Sequence, residues 1–217
     1  MNLLIDPLLR VQTKQDLEYL SLPALFAALG KNEVRHLVGI QRHQHDAFHV
    51  FLCYLAGAVL ARDHSSNPVR REDFWREGLL RLSGNAGYDA WQVVVEDVSR
   101  PAFMQPPLPE GNRKPTSVMN TPDELDVLQT AKNHDVKRQR ATSAEVDTWL
   151  YALISLQTMS GYCGSGNHGI SRMNSGAGNR SVVEVMRDRT PGQRWIDAVT
   201  RLLDHRRHVL EGPFGYD

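Results

Sequence analysis

Asp46-Ala-Phe-His-Val-Phe-Leu-Cys-Tyr-Leu-Ala-Gly-Ala-Val-Leu-Ala-Arg62 is the stretch on which the fold turns. It is almost continuously apolar, through Ala47, Phe48, Val50, Phe51, Leu52, Tyr54, Leu55, Ala58, Val59 and Leu60. A fully buried strand would also be apolar, but strands of that kind run only about 4–8 residues. Length and alanine content therefore predict a buried helix at the centre of the core. Cys53 within it reads as a small buried hydrophobe.

Working outward, Ser21-Leu22-Pro23 predicts a helix start, with Ser21 as the cap and a proline tolerated in the first turn. Gly30 is its expected stop. Residues 2–11 alternate short apolar runs with Asp6 and Pro7 and read as a strand and turn. A further helix is expected over Arg71–Leu82, with Phe74, Trp75, Leu79 and Leu80 on one side, broken by Asn85-Ala-Gly-Tyr88. Pro101, Pro106, Pro107, Pro109, Pro115 and Pro122 make the stretch 101–122 extended and irregular. Val146, Trp149, Leu150, Leu153 and Leu156 fall at helical spacing within Ala144–Met159. Gln193–His208 predicts a last helix, with Trp195, Ile196, Val199, Leu202 and Leu203 inward and arginines outward. The expected fold class is α+β: a helix-rich mixed domain with small sheets and long ordered loops, forming a single domain over 1–217.

Lys and Arg together equal Asp and Glu, at 25 each, so the whole chain shows no basic excess. The distribution is uneven. Lys132–Arg207 holds 12 basic against 7 acidic residues, while residues 1–131 hold 13 against 16. The asymmetry points to a phosphate-facing C-terminal part. Cys53 and Cys163 are too few for a disulfide framework or a four-cysteine zinc site. The start lacks a signal-peptide pattern, and no stretch reaches the length of a membrane span. A cytoplasmic protein with no membrane partner is expected.

Two polar segments flank the Ala144–Met159 helix. The first, Gln129–Arg140, concentrates Lys132, Asn133, His134, Lys137, Arg138 and Arg140. Lys and Arg neutralise phosphates, and Asn can pair with a base edge. The alternative reading is a solvated loop leading into a helix. The second, Ser160–Arg180, holds Gly161, Gly164, Gly166, Gly169, Gly176 and Gly178. Glycines let a backbone approach a ligand closely and present its N–H groups, with Asn167, Ser171, Arg172, Asn174, Asn179 and Arg180 supplying donors alongside. It is neither a P-loop nor a dinucleotide fingerprint, since no Gly-Lys-Ser/Thr follows and no helix begins at the required position. A glycine loop without a ligand would have the same composition.

His45 and His49 share a helix face, and His45-Asp46-Ala47-Phe48-His49 formally approaches a zinc-protease motif. No third ligand is evident, so the pair reads better as partly buried polar residues. A metal-dependent nuclease using His134, Asp135 and His168 is a second alternative, lacking both a hairpin-plus-helix frame and a second carboxylate. A purely structural ribonucleoprotein subunit is the third. No Gly-x-Ser-x-Gly elbow is present, and Cys163 has no base evident in the sequence.

Several segments, in order, resemble the large subunit of the type I-E CRISPR surveillance complex, the CasA family. They are Asn2-Leu-Leu-Ile-Asp-Pro7, Ser21-Leu-Pro-Ala-Leu25, Arg100-Pro-Ala-Phe-Met-Gln105, Asp126–Lys137 and Gly161–Arg180. Leu8 stands where the family has tryptophan, and the glycine segment is longer and richer in arginine. The resemblance implies a subunit with no chemistry of its own and no cofactor, acting in antiviral defence. Such a subunit inspects double-stranded DNA for a protospacer-adjacent motif, aids duplex engagement within a CRISPR RNA-containing complex and its other subunits, and later recruits a helicase-nuclease. By position, Lys132–Arg138 and Gly161–Arg172 correspond to the family loops that touch the motif or the core of the complex. Family members continue into a further mixed domain and a C-terminal helical bundle, so the chain is expected to be an N-terminal part or a shortened form, without the residues that wedge the duplex open.

Overall fold

A computed structural model describes residues 1–108, 119–125, 145–158 and 189–209. The chain divides into two compact units. Unit 1 takes Met1, Gly39–Phe48 and Ala90–Val183; unit 2 takes Asn2–Val38, His49–Asp89 and Glu184–Asp217. The fold is a helix-rich α+β arrangement with one small antiparallel sheet among the described residues.

Unit 2 begins with a hydrogen-bonded turn. Asn2 is buried; its side chain donates to the Tyr88 carbonyl at 2.8 Å and accepts from the Leu4 amide at 3.0 Å. That seats Leu3 and Leu4 in the core. The strand expected at residues 2–11 follows this turn, as β1 (Leu9–Thr13). It is the middle strand, pairing antiparallel with β2 (Leu17–Leu20) on one side and β3 (Val34–Leu37) on the other. Leu9, Val11 and Thr13 are buried, as the period-two alternation requires of a sheet covered on one face.

Helix α1 (Leu22–Gly30) starts as the sequence dictates. Ser21 Oγ accepts the Ala24 amide at 3.3 Å, and Pro23 lies in the first turn. Gly30 has a different role from the expected one. It remains inside the helix, and a Cβ there would stand 2.9 Å from the Pro68 carbonyl oxygen. Close packing selects this glycine; the left-handed position beyond the helix falls to Asn32, with φ of 57°.

Helices α2 (Gln44–Arg62) and α3 (Glu72–Leu82) occupy the predicted places. α2 begins in unit 1 and continues in unit 2, burying Ala47, Phe48, Phe51, Leu52, Cys53, Ala56, Val59 and Leu60. Tyr54 is exposed, so the apolar run is not buried all round. In unit 1, α4 (Pro122–Leu125) packs on α5 (Val146–Thr158). In unit 2, α6 (Pro191–Val209) packs on α1 and β3. Thr190 precedes α6, hydrogen-bonds Asn32 and accepts the Gln193 amide, while Pro191 takes the first helical position.

The centre of unit 2 is aromatic. Phe26 of α1 lies 4.9 Å from Trp75 of α3 and 5.6 Å from Trp195 of α6, ring centre to ring centre. The two indoles meet edge to face at 5.8 Å. Both are fully buried, and neither indole N–H has a hydrogen-bond partner. Each orphaned donor costs about 1–3 kcal/mol. Burying the 150–250 Å² of a large aromatic returns about 4–6 kcal/mol at 25 cal/mol per Å², so packing wins. Trp75→Ala is therefore expected to lower unfolding stability by about 3–5 kcal/mol in chemical denaturation. Trp75→Phe, which removes the orphaned donor and keeps a ring, should lose markedly less. Equal losses for the two variants would refute this balance.

Candidate nucleic-acid interface

The residues singled out for nucleic-acid contact, Lys132, Asn133, His134, Lys137, Arg138, Gly161, Gly164, Gly166, Asn167, Arg172, Asn174 and Arg180, lie outside the described residues. So do Asp135, His168 and Cys163. What is described is the frame from which both segments spring, all of it within unit 1.

That frame is α5. Its 13 residues place the two helix ends about 18 Å apart at 1.5 Å per residue. The sequence predicts one apolar stripe, through Val146, Trp149, Leu150, Leu153 and Leu156. The structure buries Leu150, Leu153 and Leu156 but leaves Val146 and Trp149 only partly covered. It also buries Asp147, Thr148, Tyr151, Ala152, Ile154, Ser155 and Gln157. A helix covered around most of its girth is a core element. Asp147, in the first turn, has its charge complemented by the helix dipole. Thr148 donates to the Glu145 carbonyl at 2.6 Å and Thr158 to the Ile154 carbonyl at 2.5 Å, which satisfies hydroxyls near both ends.

The root of the first segment is held by α4, which ends at Leu125. Asp123 of α4 is buried and accepts a hydrogen bond from the Gln41 side-chain amide. Gln41 is fixed in turn. Its backbone amide donates to Gln44 Oε1 at 3.0 Å, and its carbonyl accepts the Gln44 amide at 2.9 Å, a reciprocal pair at the start of α2.

The root of the second segment is held by the Arg100-Pro-Ala-Phe-Met-Gln105 stretch. Ala102 and Gln105 exchange backbone hydrogen bonds at 2.9 Å, closing a tight turn in which Met104 adopts φ of 54°. Phe103 is buried and stacks on Trp91 at 5.7 Å. Gln105 Nε2 donates to the Val93 carbonyl at 2.9 Å. The Met104 carbonyl accepts from Gln157 Nε2 at 2.7 Å, one residue before α5 ends. This stretch is thus a clamp on the C-terminal end of α5. The residues taken in order assign it no such role. Their sole local signal is the run of prolines that makes the backbone irregular.

Among the described residues, no group of three or more His, Cys, Asp and Glu side chains is placed to hold a metal ion. His49 Nε2 lies 3.5 Å from Cys53 Sγ, one turn along α2. No helix among the described residues is long and apolar enough to cross a membrane.

Replacing Gln157 with Met keeps the side-chain volume but leaves the Met104 carbonyl without its donor. The expected loss is about 1–3 kcal/mol, with faster amide exchange across residues 92–105 than across α3. Unchanged exchange in that stretch would show that the hydrogen bond does not hold the turn.

Comparison with family models, curated proteins and solved structures gives no match for the chain.

Proposed function

We propose that the chain is a non-catalytic DNA-binding subunit of a CRISPR RNA-guided surveillance complex, recognising a protospacer-adjacent motif and helping engage the target duplex in antiviral defence. What supports this reading is the sequence order, in which one segment precedes and the other follows the buried helix α5. The first is cationic and the second rich in glycine, and the described helices next to them are held by the Gln41–Asp123 and Gln157–Met104 hydrogen bonds. In this division of labour, protein contacts supply phosphate and motif recognition and base pairing with the guide supplies sequence. The resemblance of Arg100–Gln105 and of the two segments to the CasA family gives the same role.

The partners on this reading are target double-stranded DNA, the CRISPR RNA-containing complex with its other subunits, and a helicase-nuclease recruited later. Combined Lys132→Ala and Lys137→Ala substitution is expected to weaken duplex binding by the assembled complex. It should also flatten the slope of log affinity against log salt by roughly 2, near 0.9 for each phosphate that is no longer neutralised. Titration of labelled duplex at several salt concentrations measures both quantities. An unchanged affinity and slope would remove the first segment from the interface. Metal-dependent cleavage of duplex by the isolated chain would replace the proposal with the nuclease built on His134, Asp135 and His168.

A further inference from the structure

β2 lies at one edge of the three-stranded sheet, and the hairpin fixes which of its residues face outward. Thr13 N–H donates to the Asp16 carbonyl at 3.0 Å, so those two residues form a hydrogen-bonded pair. Bonded and non-bonded pairs alternate along an antiparallel ladder. With Val11 opposite Glu18 and Leu9 opposite Leu20, the bonded positions of β2 are Glu18 and Leu20. Leu17 and Tyr19 therefore turn their backbone N–H and C=O groups away from β1. The same alternation sends the Arg10 carbonyl toward β3, where it accepts the Val38 amide at 2.9 Å. Among the described residues, Leu17 and Tyr19 make no hydrogen bond to any further element, and they are 49% and 56% exposed. Lysine, proline or a bulge commonly blunts such an edge; Leu17–Leu20 carries none of them against β1.

The one charged side chain of β2, Glu18, opens onto a groove of about 360 Å³ between β2, α1 and the start of α3. Its apolar lining is Leu20 with Ala24, Ala27 and Ala28, whose short side chains leave the space open. Two acids there are already engaged, Glu72 with Arg76 and Asp73 with Arg71. Among the described residues, Glu18, Glu33 and Lys31 form no ion pair and no side-chain hydrogen bond, so unpaired carboxylates outnumber unpaired cations two to one at the groove.

We infer that the open edge of β2 and this groove together take an extended peptide segment of a partner protein, added to the sheet as a further strand and carrying Lys or Arg at alternate positions. Leu17 and Tyr19 each offer one N–H and one C=O, the main-chain groups that fix such a segment. Side chains alternate between the faces of a strand, so every second one falls on the side of Glu18 and Leu20, over the groove. There an aliphatic stem rests on the alanines and its cationic head meets Glu18 or Glu33. Charge selects among the occupants. Nucleic acid would bring phosphates to unpaired carboxylates, and a second β2 would bring another Glu18 in place of a cation. This site does not depend on the duplex-binding role proposed above.

The test titrates the full chain into a fluorescein-labelled, end-blocked peptide alternating valine and arginine, read by anisotropy, with sedimentation of the chain alone. The arginine peptide is expected to bind, and its counterpart with glutamate in place of arginine to bind about tenfold more weakly. Glu18→Gln combined with Glu33→Gln should weaken binding about fivefold. Leu17→Pro removes an outward N–H at the first residue of an edge strand, where proline is tolerated; it should weaken binding about tenfold and melt with the parent. Methylating the nitrogens on the bonding edge of the peptide should do the same without altering the chain. Absence of binding, equal binding of the glutamate peptide, or binding that backbone methylation leaves intact would overturn the inference. A chain that self-associates, loses that association with Leu17→Pro and ignores the peptide would assign the edge to a second copy instead.

Discussion

Phe26 meets two tryptophans from helices remote in the chain, Trp75 and Trp195, and the architecture of unit 2 follows from that contact. α1 carries it between α3 and α6, and α6 also packs on the sheet. The approach is close enough to dictate neighbouring residues. A Cβ at Gly192, in the first turn of α6, would lie 2.6 Å from the Leu29 carbonyl oxygen. Asn32 then takes the left-handed turn between α1 and β3 and is tied to Thr190 at the start of α6. Two buried indole N–H groups without acceptors are tolerated because the apolar area removed with them outweighs their desolvation.

Unit 1 is organised differently. Its principal helix, α5, buries four polar side chains in thirteen residues, and its neighbours are positioned by specific hydrogen bonds. Such bonds contribute little net energy each but are costly to break, because the partner left behind remains desolvated. Gln157 and Asp123 are each buried and each joined to a residue outside its own helix.

The helices were legible in the residues themselves: the Ser21 cap, the apolar run in α2, and the spacing of Trp195, Val199 and Leu203 on α6 are local signals, and each element lies where they place it. The helix-rich α+β class followed from them. The two candidate segments were picked out by composition alone, as clustered Lys and Arg and clustered Gly, and they lie outside the described residues. Nothing local specified that Gly30 is required by Pro68, that Gln157 would find the Met104 carbonyl, or that Glu18 and Glu33 would line one groove. Amides and carbonyls can pair anywhere, and strands as short as Leu17–Leu20 and Val34–Leu37 carry no clear alternation of their own. Their partners are chosen by register and by packing between residues distant in the chain, which only the folded molecule brings together.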